Sequence, residues 1–488
     1  MLFAQVALAS LAGCSSILGI DGFSVGDAGA GSGDARDAAS GIMQRAYLKE
    51  SNTAASDALG TAIALSADGT TLAVGADAEA GTGAVYIYTR SGTAWTQQAI
   101  VKATSGDAGD LFGHSVSLTV DGNTLAVGAD GEASASNQIN GTQTDNTSPA
   151  SGAAYVFARS GATWTQTTYF KASNRDGDDH FGASVALAGD GLTLVVGAPL
   201  EDSSTSTINI GTGNANDNGM NNGAAYVFFN NGTAWVAQAY IKASNSGTSD
   251  LFGSSVSLST DGSTLAIGAI GESSAVKNVG GLQTDNSATA AGAAYTFTRA
   301  GTTWSQQAYL KASNTEAGDA FGTALAVAGD GNTVVVGAPS EDSLAGSGDN
   351  NAQDSGAAYA FTRSGTTWTA ASMLKEAAPA ASDNFGAAVA VSTSGLWLIV
   401  GAHGAGGKGG ADVFTRAGSV TSVMLFAHLT AANAGASDNF GASVAVGGAG
   451  TTLDIAVGAP GEDSNATGIN GDGANNAATD SGAAYVFQ

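Results

Sequence analysis

A single cysteine, Cys14, excludes an internal disulfide framework in this chain of 488 residues, so its stability has to come from packing. Basic residues are also scarce, 16 Lys and Arg against 42 Asp and Glu, and the net charge of -26 excludes a nucleic-acid partner, whose phosphates require a basic surface. The few bases sit at recurring places. Lys49, Lys102, Lys171, Lys242, Lys311 and Lys375 return in one kind of segment, and Arg90, Arg159, Arg299, Arg363 and Arg416 close another, which leaves no basic patch. Four scattered histidines (His114, His180, His403, His428) show no zinc spacing, and neither a phosphate loop nor a nucleophile elbow is present, so no motif supports catalysis. Only 5 prolines and no long apolar run occur, whereas Gly reaches 71 and the apolar runs are short and rich in Val, Leu, Ala, Tyr and Phe. That balance points to an all-β chain of many short strands and turns.

The acidity suits a cation or a basic partner, or simply keeps an extracellular protein soluble and monomeric. Residues 1–13 are an apolar stretch ending Leu11-Ala12-Gly13 before Cys14, too short to span a bilayer. The pattern resembles a bacterial lipoprotein signal, which implies cleavage before Cys14 and acylation of that residue. Ser15 and Ser16 beside it resemble the context of outer-membrane lipoproteins. Residues 14–41 are rich in Gly, Ala, Ser and Asp and are expected to be a flexible tether. The expected location is therefore the bacterial cell envelope, lipid-anchored, or the exterior.

From residue 42 onward the chain repeats itself. A Phe-Gly or Leu-Gly pair recurs with its glycine at Gly60, Gly113, Gly182, Gly253, Gly322, Gly386 and Gly441, and four strand-like runs follow each pair. Units of this size cannot bury their own faces, and seven of them with four strands each predict a seven-bladed β-propeller over residues 42–488. Asp68-Gly69, Asp121-Gly122, Asp190-Gly191, Asp261-Gly262 and Asp330-Gly331 are expected to form two-residue hairpin turns between first and second strands. The seventh unit ends at Gln488 without a fourth strand, while Ala46-Tyr-Leu-Lys-Glu-Ser-Asn52 matches the fourth-strand segment Ala308-Tyr-Leu-Lys-Ala-Ser-Asn314. The N-terminal strand is thus expected to complete the last blade and cover an open sheet edge.

Phe181-Gly182 with Gly197-Ala198-Pro199, Phe321-Gly322 with Gly337-Ala338-Pro339, and Phe440-Gly441 with Gly458-Ala459-Pro460 resemble FG-GAP repeats, the units of the integrin α-subunit propeller. The resemblance implies a binding or adhesion module recognising an extracellular protein or matrix. Units 1, 2, 4 and 6 carry Asp77, Asp130, Ile270 and His403 in place of the proline. Integrin units often hold calcium between their first two strands. The short Asp-Gly turn stands there in this chain, so those sites are not carried over.

Length variation concentrates between second and third strands, in loops rich in Asn, Asp, Gly, Ser and Thr, and these loops are expected to form the ligand face. Two carboxylates recur near them. An Asp lies two residues before each Phe/Leu (Asp57, Asp110, Asp179, Asp250, Asp319, Asp383, Asp438), and a Glu follows the Gly-Ala pair in six units (Glu79, Glu132, Glu201, Glu272, Glu341, Glu462), with Ala405 in the remaining one. Such regular repetition favours Asp accepting turn N–H groups and Glu pairing with the recurring lysines. The pairs Glu201-Asp202, Glu341-Asp342 and Glu462-Asp463 are kept as candidate binding-face carboxylates. Calcium, which needs six to eight oxygens, has candidate ligands in Asn214, Asn216, Asp217 and Asn218, in Asp349 and Asn350, and in Asp472 and Asn475. Solvated Asx turns explain the same composition. No cofactor is otherwise implied. The function expected is a non-enzymatic binding module, monomeric, touching the membrane only through its lipid anchor. The alternatives are a lectin-like carbohydrate binder and, behind it, a hydrolase or enzyme-associated domain.

Overall fold

The computed structural model describes residues 41–208, 216–344, 349–416, 423–448 and 453–488. The signal segment, Cys14, the tether up to residue 40 and the candidate ligand Asn214 lie outside these residues.

The described chain folds into seven antiparallel sheets of four strands each, arranged as blades of a propeller. Blade 3 serves as the type: Ser184–Leu187, Thr193–Ala198, Ala224–Asn230 and Trp235–Ile241, paired in that order. First strands of neighbouring blades pack side by side around the axis, and the fourth strand lies outermost. The second strand is buried along its whole length, so Thr-Leu-Val-Val-Gly-Ala reads as a continuous small and apolar run. Closure is as expected. Gln44–Leu48 pairs with Ala483–Phe487 to become the outer strand of blade 7, with Tyr47 opposite Tyr485 and Leu48 opposite Ala484.

The repeated glycines are explained by contacts between blades. Gly182 has φ of +102°, a conformation that only glycine adopts cheaply. Its carbonyl oxygen lies where a Cβ on Gly128 of the preceding blade would sit, and it accepts a 2.8 Å hydrogen bond from Ser115 Oγ of that blade. Phe181 packs edge-on against Tyr226 of its own blade, ring centroids 5.3 Å apart. The Phe-Gly pair therefore fills the blade core with one residue and docks backbone against the previous blade with the next.

The Asp-Gly hairpins differ from expectation. Ser66 N donates to Thr71 O at 2.9 Å and Gly69 N to Ser66 O at 2.9 Å, so the loop holds four residues, with positive φ (+68°) at Gly69 and not at Asp68. Asp68 is the acceptor of this turn, taking the Thr70 N–H at 2.9 Å. The extra length lets loops link blade to blade around the axis. Ala67 N reaches Val120 O at 3.0 Å, Val120 N reaches Gly189 O at 3.3 Å, and Gly189 N reaches Thr260 O at 2.9 Å.

Candidate functional site

The two recurring carboxylates take structural places. In blade 4, Glu272 accepts from Lys311 Nζ at 2.8 Å, from Tyr309 OH at 2.7 Å, from Asn245 Nδ2 at 3.1 Å and from Ser274 N at 3.1 Å. Asn245 belongs to the segment entering the blade, and its Oδ1 accepts the Tyr295 hydroxyl at 2.6 Å. The same Lys–Glu pair forms in blades 1, 2, 3, 5 and 7, as Lys102–Glu79, Lys171–Glu132, Lys242–Glu201, Lys375–Glu341 and Lys49–Glu462. Burial pulls the Lys49, Lys171, Lys242 and Lys311 ammoniums below the usual lysine range, and the partner glutamates oppose that shift. The hydroxyls of Tyr226 and Tyr295 are driven upward by burial and by the nearby Glu201 and Glu272. Each Asp before Phe/Leu closes a turn by accepting the N–H three residues earlier, from Ala54 to Asp57 at 2.7 Å through Gly435 to Asp438 at 2.7 Å. Burial pushes Asp179 and Asp319 up to about 7 and Asp110 and Asp250 up to about 6.

This geometry fixes the places of the candidate binding-face carboxylates. Glu201, Glu341 and Glu462 are enclosed beside their lysines, 1%, 2% and 2% exposed, so a surface ligand does not meet them. Asp202, Asp342 and Asp463 are half-buried and tie the ends of their loops, accepting from Asn221 N, Asp354 N and Asp480 N at 2.6, 2.8 and 2.9 Å.

Described residues of the long loops of blades 2, 3, 4 and 7 lie along the outer strands of their blades. Ile208 bridges Ile241, Val279 bridges Leu310 and Ile469 bridges Leu48, each antiparallel. In blade 2, Asn140 N donates to Tyr169 O at 2.8 Å while Tyr169 N donates to Asn140 Oδ1 at 2.9 Å. Loop backbone thus covers part of an otherwise bare sheet edge. The candidate calcium ligands use their oxygens within the loops. Asn216 Oδ1 accepts from Asn218 N, Asp349 Oδ1 from Leu344 N, Asp472 Oδ1 from Ala474 N and Asn475 Oδ1 from Asn465 N, at 2.9 to 3.1 Å. Asn350 bonds the Glu316 carboxylate and Asp217 is exposed. Among the described residues no group of three or more His, Cys, Asp or Glu is placed to hold a metal ion.

The FG-GAP repeat family model matches residues 95–157, 164–228, 235–297, 304–361 and 424–487, more than half of the chain. The chain belongs to the FG-GAP repeat family. A search of curated proteins gives no significant match. Among solved structures, a hydrazine synthase of Kuenenia stuttgartiensis is similar over 83% of this chain and 93% of its own, at 13% identity and a TM-score of 0.47.

Two features of this FG-GAP propeller depart from seven-fold repetition and were not picked out as sites from sequence. His114 Nδ1 lies 3.0 Å from Asp77 of the preceding blade, and His180 Nδ1 lies 3.1 Å from Asp130 of the preceding blade. The aspartates stand where other units have proline, so that substitution together with a histidine near the next Phe-Gly was the available signal. Hydrogen bonding to Asp77 and Asp130 holds both imidazoles above the usual range. The second feature is a cavity of about 630 Å³ on the outer side of blade 4, bordered by the long loops of blades 3 and 4 and by the last hairpin of blade 5. Nothing in the linear pattern marks it, because it joins residues of three repeats.

Proposed function

We propose that the protein is a non-enzymatic, extracytoplasmic binding module, anchored by acylated Cys14 to a bacterial cell envelope, that holds an extracellular protein or glycan through its long second-to-third strand loops. One observation carries the reading. The repeated carboxylates are used inside the blades, whereas the loops differ from blade to blade and expose apolar side chains, Met220 at 61% and Leu282 at 66%. Variable loops on a rigid scaffold are the usual seat of recognition, and exposed Met and Leu there suit a contact surface better than a solvated one. The FG-GAP family and the propeller fold are compatible with such a role. The test is capture of partners from intact cells with the wild-type chain, with and without calcium, and with Met220→Glu and Leu282→Glu. Retention of every captured partner by both variants refutes the reading.

A carbohydrate ligand is the second reading, favoured by the uncharged, amide-rich lining of the blade 4 cavity.

A further inference from the structure

We infer that the groove on the outer side of blade 4 binds a neutral oligosaccharide. This rests on the binding-module reading and names the ligand class and the residues that read it. The volume of about 630 Å³ lies within the range of about 300–1,000 Å³ typical of small-molecule sites. No charged side chain lines the groove, although the chain carries a net charge of -26. An ionic ligand would find no counter-charge there.

The polar groups present are amides and hydroxyls with complementary vacancies. Gln306 Oε1 is buried without a hydrogen-bond partner, and an unmet buried acceptor is unfavourable until a donor arrives. Gln307 Oε1 is already taken by the Trp368 indole N–H at 2.7 Å and Arg363 Nη1 at 3.1 Å, and Gln283 Oε1 by the Ser244 hydroxyl at 2.6 Å. Their amide nitrogens are therefore the ends left to donate. A mixed row of one acceptor and two donors matches sugar hydroxyls, each of which both donates and accepts. Ile208, Val279 and Ala308 supply apolar lining for the C–H face of a pyranose ring.

Gln307 owes its position to a β-bulge. In the register of the blade 4 outer strand, Phe297 pairs with Gln306 and Thr296 with Ala308, so Gln307 is the extra residue and turns toward blade 5. Two adjacent glutamines thereby border one groove. An extended peptide adding to this edge fits less well, because Val279 already bridges Leu310 at the upper end of the strand.

The test is calorimetry of the full chain with neutral cello-, xylo-, chito- and mannohexaose, and with anionic oligogalacturonate as contrast. At least one neutral oligosaccharide is expected to bind and the anionic one not to. Gln306→Ala and Gln283→Ala should each weaken binding about tenfold, the worth of one ligand hydrogen bond, while Gln306→Ala melts no lower than wild type because it removes an unmet acceptor and Gln283→Ala shifts melting no more than a surface substitution does. The melting check keeps misfolding apart from loss of the site. The inference is overturned if no neutral oligosaccharide binds, if the anionic one binds as well, or if both variants bind like wild type. If Met220→Glu and Leu282→Glu abolish capture from cells while the glutamine variants bind unchanged, the binding-module reading stands and the oligosaccharide site falls. If no partner is captured at all, the broader reading fails on its own terms.

Discussion

Glu272→Ala is the sharpest test of how the blades are held together. The substitution removes an acceptor that serves four donors at 2.7 to 3.1 Å. Lys311, fully buried, then keeps the Gly292 carbonyl at 2.6 Å as the acceptor for its ammonium. Breaking a buried pair from one side costs about 3–5 kcal/mol, and stranding the Tyr309 hydroxyl and Asn245 amide adds about 1 kcal/mol or more, for a loss of roughly 4–6 kcal/mol. Equilibrium denaturant unfolding, followed by both tryptophan fluorescence and far-UV dichroism, measures it. The loss should also depend on pH. Burial already depresses the lysine, and without Glu272 nothing comparable raises it. The unfolded chain then binds more protons than the folded one, so the variant regains stability as pH rises from 7 toward 10. Removing both charges with Glu272→Leu/Lys311→Met should cost less than Glu272→Ala, since no lone charge remains. A Glu272→Ala loss below 1 kcal/mol, or one with no pH dependence, refutes the reasoning.

Three further outcomes are expected. Deleting residues 42–50 removes the outer strand of blade 7 and bares the edge at Ala483–Phe487, so size-exclusion chromatography should show aggregation and calorimetry a lower melting temperature; an unchanged monomer refutes closure. The inter-blade pairs His114–Asp77 and His180–Asp130 raise both imidazoles, so their stabilisation is full below about pH 6.5, the unfolded value, and is lost as pH rises through the folded values. His114→Gln/His180→Gln should therefore lower the melting temperature more at pH 5 than at pH 9. In blade 2, Ser105 stands where Asn245 stands in blade 4, and the buried Tyr155 hydroxyl has no hydrogen-bond partner. Ser105→Asn should stabilise, and Tyr155→Phe should cost less than Tyr295→Phe by about 1–3 kcal/mol in denaturant unfolding.

The fold was legible because each blade repeats the same local physics. Gly182 and Gly197 recur at positions whose contacts cross blade junctions, Gly182 to blade 2 and Gly197 to blade 4, and the match of residues 46–52 to residues 308–314 marks the closing strand. The Glu–Lys pairing was legible for the same reason, since Ala405 marks the one blade whose outer strand is followed by Thr430 instead of lysine. The candidate site was less legible. Asn140 and Asn470 read as general loop polarity, yet both place their Oδ1 on an outer-strand N–H, an arrangement set by where the loop turns back. The groove depends on a bulge and on side chains from three repeats, and no spacing within one repeat encodes that.

The position of the loops and the burial of the ion pairs are one phenomenon. Where the long loop is present the lysine side chain is 0% exposed in blades 2, 3, 4 and 7 and 12% exposed in blade 5. In blade 1, whose short loop holds only the turn Glu79–Gly81, Lys102 is 42% exposed. Blade 6 has a similarly short turn at Ala405–Gly407, and there the whole set is exchanged: Ala405 for glutamate, Thr430 for lysine, and Asp412 paired with His428 at 2.6 Å where blade 4 has Tyr295 and Tyr309. The serines that end the loops complete the connection. Ser481 Oγ accepts from Lys49 Nζ at 2.7 Å and donates to Ser464 O at 2.9 Å, stitching the two ends of one loop to the outer strand. A loop therefore seals the charged cluster beneath it while the cluster fixes the loop's two ends. If the loops bind a ligand as proposed, recognition and stability share these sites, so point substitutions at Met220, Leu282 and the groove glutamines separate the two where loop deletion would not.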